Sequence, residues 1–343
     1  MLVKTFVSMI LLSGIILVGM SGCDTRFQGE DVLSQYAAGL NRSQYVSVSS
    51  PAIQMPASLP SPRHRQQNLT QFDIGLLDYL SLQQCDVGFV AGRKNSILGK
   101  VMPDSQRFLY ELDIIRAIES CDIKNDTLAE ELHYIAQQKR LELTMAFGNA
   151  LFNGAESEAF FSLSNGFLPL NSSTADQQEL MNALNRLVVI GENLERLPVI
   201  DAKVFEGDLK TLMDSEYAGR LLYTIVRITD YLNLIAGEIA GLDQQMCGAP
   251  MVFFKQQFET HYVDIVQPYM GRINRSAYQV LPLLNKLFEL SAPLSNDMHV
   301  FSHQFSLVAS DSRWQHYQQA SQRHAQQWSA LFGLCSMSIG SES

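Results

Sequence analysis

The chain contains none of the short motifs that commonly identify a catalytic or redox site. There is no C-x-x-C pair, which argues against a thioredoxin-like redox centre and a c-type haem attachment site. There is also no H-E-x-x-H zinc helix and no G-x-S-x-G nucleophile turn. We therefore predict no catalytic residue, no metal ligand and no cofactor, and the sequence favours a non-catalytic protein without excluding an enzyme.

Weaker matches to such motifs are better explained by ordinary structure. Gly92 and Gly99 are separated by six residues instead of the four of a phosphate-binding loop, and the Ser or Thr that should hold magnesium is missing. Residues 162–166 lack the first glycine of a nucleophile turn and indicate a polar loop. His299 and His303 have the spacing of two metal ligands on a helix, but no third ligand is evident.

Basic residues are in deficit, with 25 lysines and arginines against 35 acidic residues. Without the first 22 residues, which hold one lysine and no acid, 24 basic and 35 acidic groups remain and the net charge is −11. Nonspecific nucleic-acid binding needs a basic face. The composition therefore argues against a nucleic-acid partner and against a body lying flat on anionic lipid.

The N-terminus holds a short apolar run that follows Lys4 and extends from Phe6 to Val18. These 13 residues are fewer than the roughly 20 that a membrane-spanning helix needs. Small residues then lead to Cys23, the layout of a secretory signal whose cleavage leaves a lipid-modified cysteine. We predict a signal peptide over residues 1–22, with an uncleaved N-terminal anchor as the alternative.

Either reading places the body outside the cytoplasm, and the predicted location is the bacterial cell envelope, facing the periplasm. The predicted membrane contact is the lipid on Cys23. Asp24, directly after the cysteine, resembles the signal for retention in the inner membrane. The outer membrane remains an alternative because that sorting rule varies between lineages.

The other four cysteines form an even set, which in an oxidising compartment predicts two disulfides. Four cysteines allow three connectivities. We favour Cys85–Cys121, which brackets a compact N-terminal block, and Cys247–Cys335, which joins two late helix ends. Buried free thiols are the alternative.

The chain predicts an all-α fold, an irregular multi-helix bundle with almost no strand. Residues 225–246 carry apolar side chains at alternating spacings of three and four, which is typical of a helix packed in a bundle. Gly248 is placed to end that helix, and Pro268 and Pro282 are expected to kink or split the next one. His316 and His324, eight apart on the last helix, are expected at the rim of the core.

The predicted organisation has three parts. Four prolines among residues 51–62 exclude helix there and indicate either a strap over the surface or a spacer from the membrane. The predicted boundaries are 1–22 for the signal peptide, 23–62 for the lipidated N-terminus and Pro/Ser-rich linker, and 63–343 for the helical domain, in which a disulfide-closed block (63–125) packs on a bundle (126–340).

A small basic region stands out in this acidic protein. Residues 60–107 hold six basic groups against four acids. Converging guanidinium and ammonium groups recognise phosphate or carboxylate. The candidate ligand-binding residues are Arg63, Arg93, Lys100, Arg107 and Glu111. The competing interpretation is that these groups pair internally, with Glu111 and Asp113 among the partners.

The whole mature chain resembles a family of uncharacterised Gram-negative envelope lipoproteins that is described as a domain of unknown function. The resemblance rests on the cysteine of the lipid signal and on the segments I-G-L-L-D-Y-L (74–80), R-K-N-S-I-L-G-K-V-M-P (93–103) and S-Q-R-F-L-Y-E (105–111), with His324, Trp328 and Cys335 near the end. The resemblance implies an envelope location and a helical fold, and it brings no activity, substrate or cofactor.

The expected function is a non-catalytic helical scaffold or adaptor, anchored by lipid, for another envelope component, and the expected partner is an envelope protein. The alternative is a binding module for an anionic envelope ligand, such as a lipid headgroup, glycan or peptidoglycan fragment, at the basic 93–107 block. A hydrolase with an unrecognised site is the third possibility, and a deep pocket with a histidine beside a carboxylate or serine would indicate it.

Overall fold

The computed structural model describes residues 25–71, 82, 85–95, 102–171 and 173–337, and within these residues all regular structure is helical. The predicted all-α fold is confirmed. The α-helices are α1 (Gln28–Leu40), α2 (Pro62–Arg65), α3 (Asp86–Asn95), α4 (Asp104–Ser120), α5 (Asp126–Leu141), α6 (Leu143–Phe152), α7 (Ala155–Phe160), α8 (Thr174–Glu192), α9 (Ala202–Ser215), α10 (Tyr217–Ala240), α11 (Ala249–Gln257), α12 (Gln267–Leu290), α13 (Asn296–His303) and α14 (Arg313–Leu334).

Short helical turns complete these elements: 3₁₀ turns at Thr25–Phe27, Leu163–Asn165, Leu194–Arg196 and Gln244–Met246, and a π-helical stretch at Phe258–Val266. The predicted signal segment, Cys23, Asp24 and Lys100 lie outside the described residues. No helix in the described part of the chain is long and apolar enough to cross a bilayer.

Helix α10 is the centre of the bundle. The apolar positions predicted from the spacing, among them Ile225, Leu232 and Ile239, are at most 2% exposed. Helix α14 packs along α10, and α1 and α7 also contact it. Residues 221–228 of α10 are buried on all sides, and the second half of the helix buries one face.

The end of α10 differs from the prediction. The helix stops at Ala240, where Gly241 caps it, and Met246 is buried in the following 3₁₀ turn. Gly248 has φ of 103° and directly precedes α11. The left-handed glycine predicted as a C-cap therefore begins the next helix and does not end the previous one.

Pro268 and Pro282 do not split the helical segment that contains them. Helical structure is continuous from Ala249–Gln257 through the π-helical Phe258–Val266 into Gln267–Leu290. Pro268 is the second residue of α12, directly after the π-helical stretch. A widened turn shifts the backbone hydrogen bonds by one residue, so that the missing N–H of a proline can be accommodated. Pro282 lies inside α12.

The proline-rich segment is a strap on the protein surface, which decides between the two alternatives for residues 46–62. Val46 and Val48 are buried in the main core. The Asn41 side chain pairs with the backbone N–H and C=O of Val48, both at 2.7 Å. Farther along, the Gln304 side chain makes the same reciprocal pair with Ala57, at 2.9 and 3.0 Å. These contacts hold the segment against α13 and the core.

A buried arginine fastens the N-terminal segment to α10. Arg227 is 2% exposed, and its guanidinium donates to Glu30 of α1 at 2.7 and 3.1 Å and to the carbonyl of Pro51 in the strap at 3.3 Å. Tyr231 donates to the same carboxylate at 2.7 Å. One buried charge therefore joins the first helix, the strap and the central helix.

A second, smaller core lies under α3, α4 and α5. It contains Val87, Ile114 and Leu132, and the Cys85–Cys121 disulfide borders it. Since residues of α5 contribute to this core, the N-terminal block extends past the predicted boundary at residue 125. Helix α4 also packs on α6, which belongs to the main core, so the two cores share α4.

The structure contains both favoured disulfides. The S–S distance is 2.10 Å for Cys85–Cys121 and 2.05 Å for Cys247–Cys335. The second bridge joins the segment before α11 to the end of α14, 88 residues later. Closing a loop of this length removes conformational freedom from the unfolded chain.

We expect Gly219→Ala to destabilise the protein by about 1–3 kcal/mol, because overpacking at this site has no room to relax. A Cβ at Gly219 overlaps the carbonyl oxygen of Ser162 and lies 2.6 Å from the carbonyl carbons of Phe161 and Ser162, all of them backbone atoms. Urea-induced unfolding measures the free energy of unfolding.

Gly237→Ala in the same helix is the matched control, since nothing lies within 4 Å of its Cβ position. This substitution should stabilise the protein by about 0.5–1 kcal/mol through helix propensity. A Gly219→Ala protein as stable as Gly237→Ala would contradict the close approach of α10 to residues 161–162.

Candidate functional site

The basic residues predicted to bind a ligand are mostly paired with acids. Arg93 on α3 and Arg116 on α4 both donate to the carboxylate of Asp113, each at 2.5 Å. Arg107 donates to Glu111 at 2.5 Å, one turn farther along α4. This is the pairing that the competing, structural interpretation of the basic block predicts.

Glu111, which was a candidate ligand-binding residue, is a buried structural carboxylate. Its side chain is 5% exposed. It also accepts a hydrogen bond at 2.5 Å from Lys139 of α5, and the Lys139 side chain is 4% exposed. The arrangement stabilises the α4–α5 packing, because each buried charge has an opposite partner. Burial, followed by the charge of Glu111, raises the pKa of the adjacent Tyr110 to about 12.

Arg63, the remaining candidate among the described residues, is not brought to this pair. Arg63 is exposed on α2, which packs beside α13, and no described contact joins it to Arg93 or Arg107. Its neighbour Arg65 is buried, and donates to the carbonyl of Pro60 and to Glu158, both at 2.7 Å. Arg65 therefore fixes the end of the strap.

A groove runs along α4 past the paired arginines. We call it the α4 groove; it consists of an open hollow of about 670 Å³ and a smaller hollow of about 180 Å³, which share Arg93, Asp113 and Arg116. Helix α3 forms one side, through Phe89 among others, and Ile200 with the start of α9 forms part of the other.

Exposed apolar side chains flank this groove. Phe89 is 74% exposed and lines the larger hollow. Val199 is 88% exposed and follows Pro198, whose carbonyl accepts from Arg116 at 3.4 Å. A surface aromatic beside ion-paired arginines has the composition that is enriched in protein–protein interfaces.

A second arginine clamp holds the rim of the groove in place. Arg140 at the end of α5 donates to both carboxylate oxygens of Glu119 on α4, at 2.5 and 2.7 Å. It also donates to the carbonyl of Glu195 at 2.9 Å. Helices α4 and α5 and the loop before α9 are thus joined, and the groove keeps its shape without a ligand.

The expectation for His324 is wrong: it lies in the centre of the core and not at the rim. Its side chain is 0% exposed, and its Nε2 lies 3.0 Å from the hydroxyl of Tyr36 and 3.1 Å from the indole nitrogen of Trp328. Burial lowers the pKa of His324 to about 3. The imidazole is therefore neutral near pH 7 and joins α14 to α1.

The other weak candidates are ordinary polar residues. His303 lies 3.3 Å from Asp311, and both side chains are largely exposed. Within the described residues no three His, Cys, Asp or Glu side chains are grouped to hold a metal. In residues 162–166, Ser162 and Ser164 hydrogen-bond each other at 2.7 Å, and Asn165 donates to the carbonyl of Ala159 at 3.0 Å. This is the polar loop that was predicted.

No histidine, which would indicate a hydrolase beside a carboxylate or serine, lines the α4 groove. A polar cleft of about 460 Å³ between α8, α9, α10 and α12 also has no histidine among its lining residues. The arrangement of acids and hydroxyls therefore lacks the usual general base for acyl transfer.

The helices, two cores and two disulfides define a disulfide-braced all-α protein. The family model for proteins of unknown function named DUF3080 matches residues 33–339. The chain therefore belongs to the DUF3080 family. Comparisons with curated proteins and with solved structures give no match.

We expect His324 to make the free energy of unfolding fall at acidic pH, and we expect His324→Gln to remove this contribution. Its folded pKa of about 3 lies below the unfolded value of about 6.5, so the unfolded chain binds the extra proton first. Stability is therefore complete above about pH 6.5 and falls as the pH drops towards 3, by at most about 1.4 kcal/mol per pH unit.

The measurement is the free energy of unfolding in urea at about pH 7 and about pH 5 for both proteins. The loss between these pH values should be about 2 kcal/mol larger in the wild type than in His324→Gln. Burial raises the pKa of the neighbouring Tyr36 and Tyr262, so neither titrates in this range. An equal loss in the two proteins would contradict the buried neutral state of His324.

Proposed function

We propose that this protein is a non-catalytic adaptor of the bacterial cell envelope, anchored by lipid on Cys23, that binds another envelope protein through the α4 groove. The observation that carries the proposal is the exposure of Phe89 and Val199 beside the Arg93–Asp113–Arg116 ion pairs. An exposed aromatic side chain of this kind is costly in water and is stabilised when a partner covers it.

Export is supported by the two disulfides. Disulfides persist in oxidising compartments such as the periplasm and are rare in the cytoplasm. The chain has a cysteine at the end of a signal-like segment and its other four cysteines in bridges. The Gram-negative envelope, with the inner membrane favoured by Asp24, is the location that we propose.

The packing of the N-terminal segment supports a body held close to the bilayer. Helix α1 begins at Gln28, five residues after Cys23, and its residues Leu33, Tyr36 and Leu40 are 0% exposed. Five extended residues span at most about 18 Å. Since residues 46–62 are a strap and not a spacer, a lipid on Cys23 holds the folded body near the membrane surface.

The physical basis of binding at the groove is preorganisation. Arg93 and Arg116 are already paired with Asp113, and Arg140 is already paired with Glu119. A partner therefore does not have to order these long side chains. Phe89 supplies an apolar anchor, and the ion pairs at the floor supply directional hydrogen bonds.

The alternative, an anionic ligand at the basic 93–107 block, has less support. Arg93 and Arg107 already contact Asp113 and Glu111, and a ligand would have to displace these carboxylates. Replacing one buried partner costs several kcal/mol unless the new geometry is as good.

The test places a photo-crosslinking amino acid at Ser120, an exposed residue that lines the groove. Irradiation of intact cells should give one discrete protein adduct, and Phe89→Ala should reduce its yield at least about ten-fold, because buried aromatic anchors contribute about 2 kcal/mol or more. The measurement is the adduct yield on immunoblots.

The matched control places the same crosslinker at Val308, which is 89% exposed and lies after α13. No adduct of the same size is expected from this position. The adaptor proposal fails if position 120 gives no adduct, or if the adduct is unaffected by Phe89→Ala. The anchor is tested separately, since Cys23→Ser should abolish metabolic labelling with palmitate, and labelling that persists would contradict it.

A further inference from the structure

The polar cleft between α8, α9, α10 and α12 is distinct from the α4 groove. Its volume of about 460 Å³ lies in the range of small-molecule sites, roughly 300–1,000 Å³. Thr211 and Ser215 at the end of α9 line the cleft, whereas Ala202 at the start of α9 lines the groove. At 1.5 Å per residue, these lining residues of the two sites are about 14–20 Å apart along this helix.

Two guanidinium groups line the cleft. Arg220 on α10 and Arg272 on α12 both lie close enough to the Tyr269 hydroxyl to oppose, by their charge, the rise in its pKa that burial causes. Tyr269 itself donates to the carbonyl of Leu168 at 2.6 Å, which holds the cleft wall. Arg272 is exposed and makes no ion pair with any residue that the structure describes.

Arg220 is held in place by Glu216, a residue with an unusual backbone conformation. Glu216, between α9 and α10, has φ of 50° and ψ of 19°, and its carboxylate accepts from Arg220 at 2.5 and 3.0 Å. A left-handed conformation at a residue other than glycine costs about 1 kcal/mol and persists where the surroundings impose it. Such strain is concentrated at binding sites.

Acidic residues also line the cleft. Asp176 and Glu179 lie on the first two turns of α8, and Asp214 lies at the end of α9. Asp176 is exposed and makes no ion pair with a described residue, and Asp214 has only the exposed Lys210 as a partner at 2.6 Å. Exposed pairs of this kind contribute little to stability and open readily.

Apolar side chains also line the cleft. Leu180 and Ile273 are buried there, and the hydroxyl of Ser276 donates to Tyr217 at 2.6 Å. A ligand that fills the cleft therefore meets cations, acids and apolar side chains.

We propose that this cleft binds a small zwitterion, an amino acid or short peptide, with its carboxylate at Arg272 and its ammonium group at Asp176 and Asp214. A guanidinium group recognises a carboxylate by charge-assisted hydrogen bonds. A simple anion such as phosphate fits poorly, because Asp176, Glu179, Asp214 and Glu216 line the same cleft. A divalent cation fits poorly, because no metal-binding group of three exists among the described residues.

The test is isothermal titration of the full-length protein in mild detergent with dialanine. Dialanine should bind, and N-acetyl-dialanine, which lacks the ammonium group, and dialanine amide, which lacks the carboxylate, should each bind at least about ten-fold more weakly. Each charge-assisted hydrogen bond lost corresponds to about this factor or more. Alanine and trialanine establish whether the site takes a free amino acid or a longer peptide.

Variants connect the binding to the cleft. Arg272→Met and Asp176→Asn, both at exposed positions, should each weaken dialanine at least about ten-fold without changing the thermal unfolding of the unliganded protein. Arg275→Met, exposed three residues farther along α12, is the matched control and should bind as the wild type does.

The proposal is overturned if alanine, dialanine and trialanine all fail to bind in the millimolar range, if both blocked derivatives bind as well as dialanine, or if phosphate competes equally. It is also overturned if Arg275→Met weakens binding as much as Arg272→Met. None of these outcomes depends on crosslinking at the α4 groove, so this proposal and the adaptor proposal fail separately.

Discussion

The ion pair between the buried Arg227 and the partly buried Glu30 constrains the whole molecule. Arg227 lies in the middle of the central helix α10, where an unpaired guanidinium is strongly unfavourable. Its closest partners come from outside that helix, from Glu30 in α1 and the Pro51 carbonyl in the strap, while Asp230 of α10 lies 3.5 Å away. The central helix therefore requires the N-terminal segment, and packing of the main core depends on residues that immediately follow the proposed anchor.

This dependence bears on how far the folded body can move from the proposed lipid anchor. A body on a flexible linker samples a large volume, whereas a strap bound at Asn41, Gln304 and Arg65 would keep the body near the proposed lipid anchor. The α4 groove and the polar cleft lie at opposite ends of α9. The two proposed ligands, a small zwitterion and a protein partner, would therefore not compete for the same surface.

Much of the fold is predictable because it depends on local pattern. The alternating spacing of apolar residues around Ile228 predicts the central helix, and cysteine parity with a secretory signal predicts the two disulfides. The predicted end of α10 was wrong, because the apolar spacing continues to Met246 although the helix stops at Ala240. A buried 3₁₀ turn satisfies the same apolar pattern as another helical turn.

The errors in the site have a common physical cause, which is that the partner of a polar residue lies far away in the sequence. His324 is buried because Tyr36, 288 residues earlier, supplies a hydrogen bond. Arg227 finds Glu30 at a separation of 197 residues. A charged residue inside the apolar spacing of α10 was a signal that a buried partner exists, but the sequence does not identify which of 35 acids it is.

The polar cleft was missed for the same reason. Its arginines and acids come from α8, α9, α10 and α12, and only packing brings them together. Pairing of Arg93 and Arg107 with acids of α4, in contrast, was foreseen as one interpretation, because Glu111 is one helical turn from Arg107 and Asp113 is close by.

The most direct test of the central constraint is a double-mutant cycle on the free energy of unfolding with Arg227→Met, Glu30→Gln and the combined variant. The ion pair predicts that each single variant is destabilised by about 3–5 kcal/mol. It also predicts that the double variant is less destabilised than the sum of the two, with a coupling energy of about 2 kcal/mol or more. Additive effects, or single variants within about 0.5 kcal/mol of the wild type, would contradict the account.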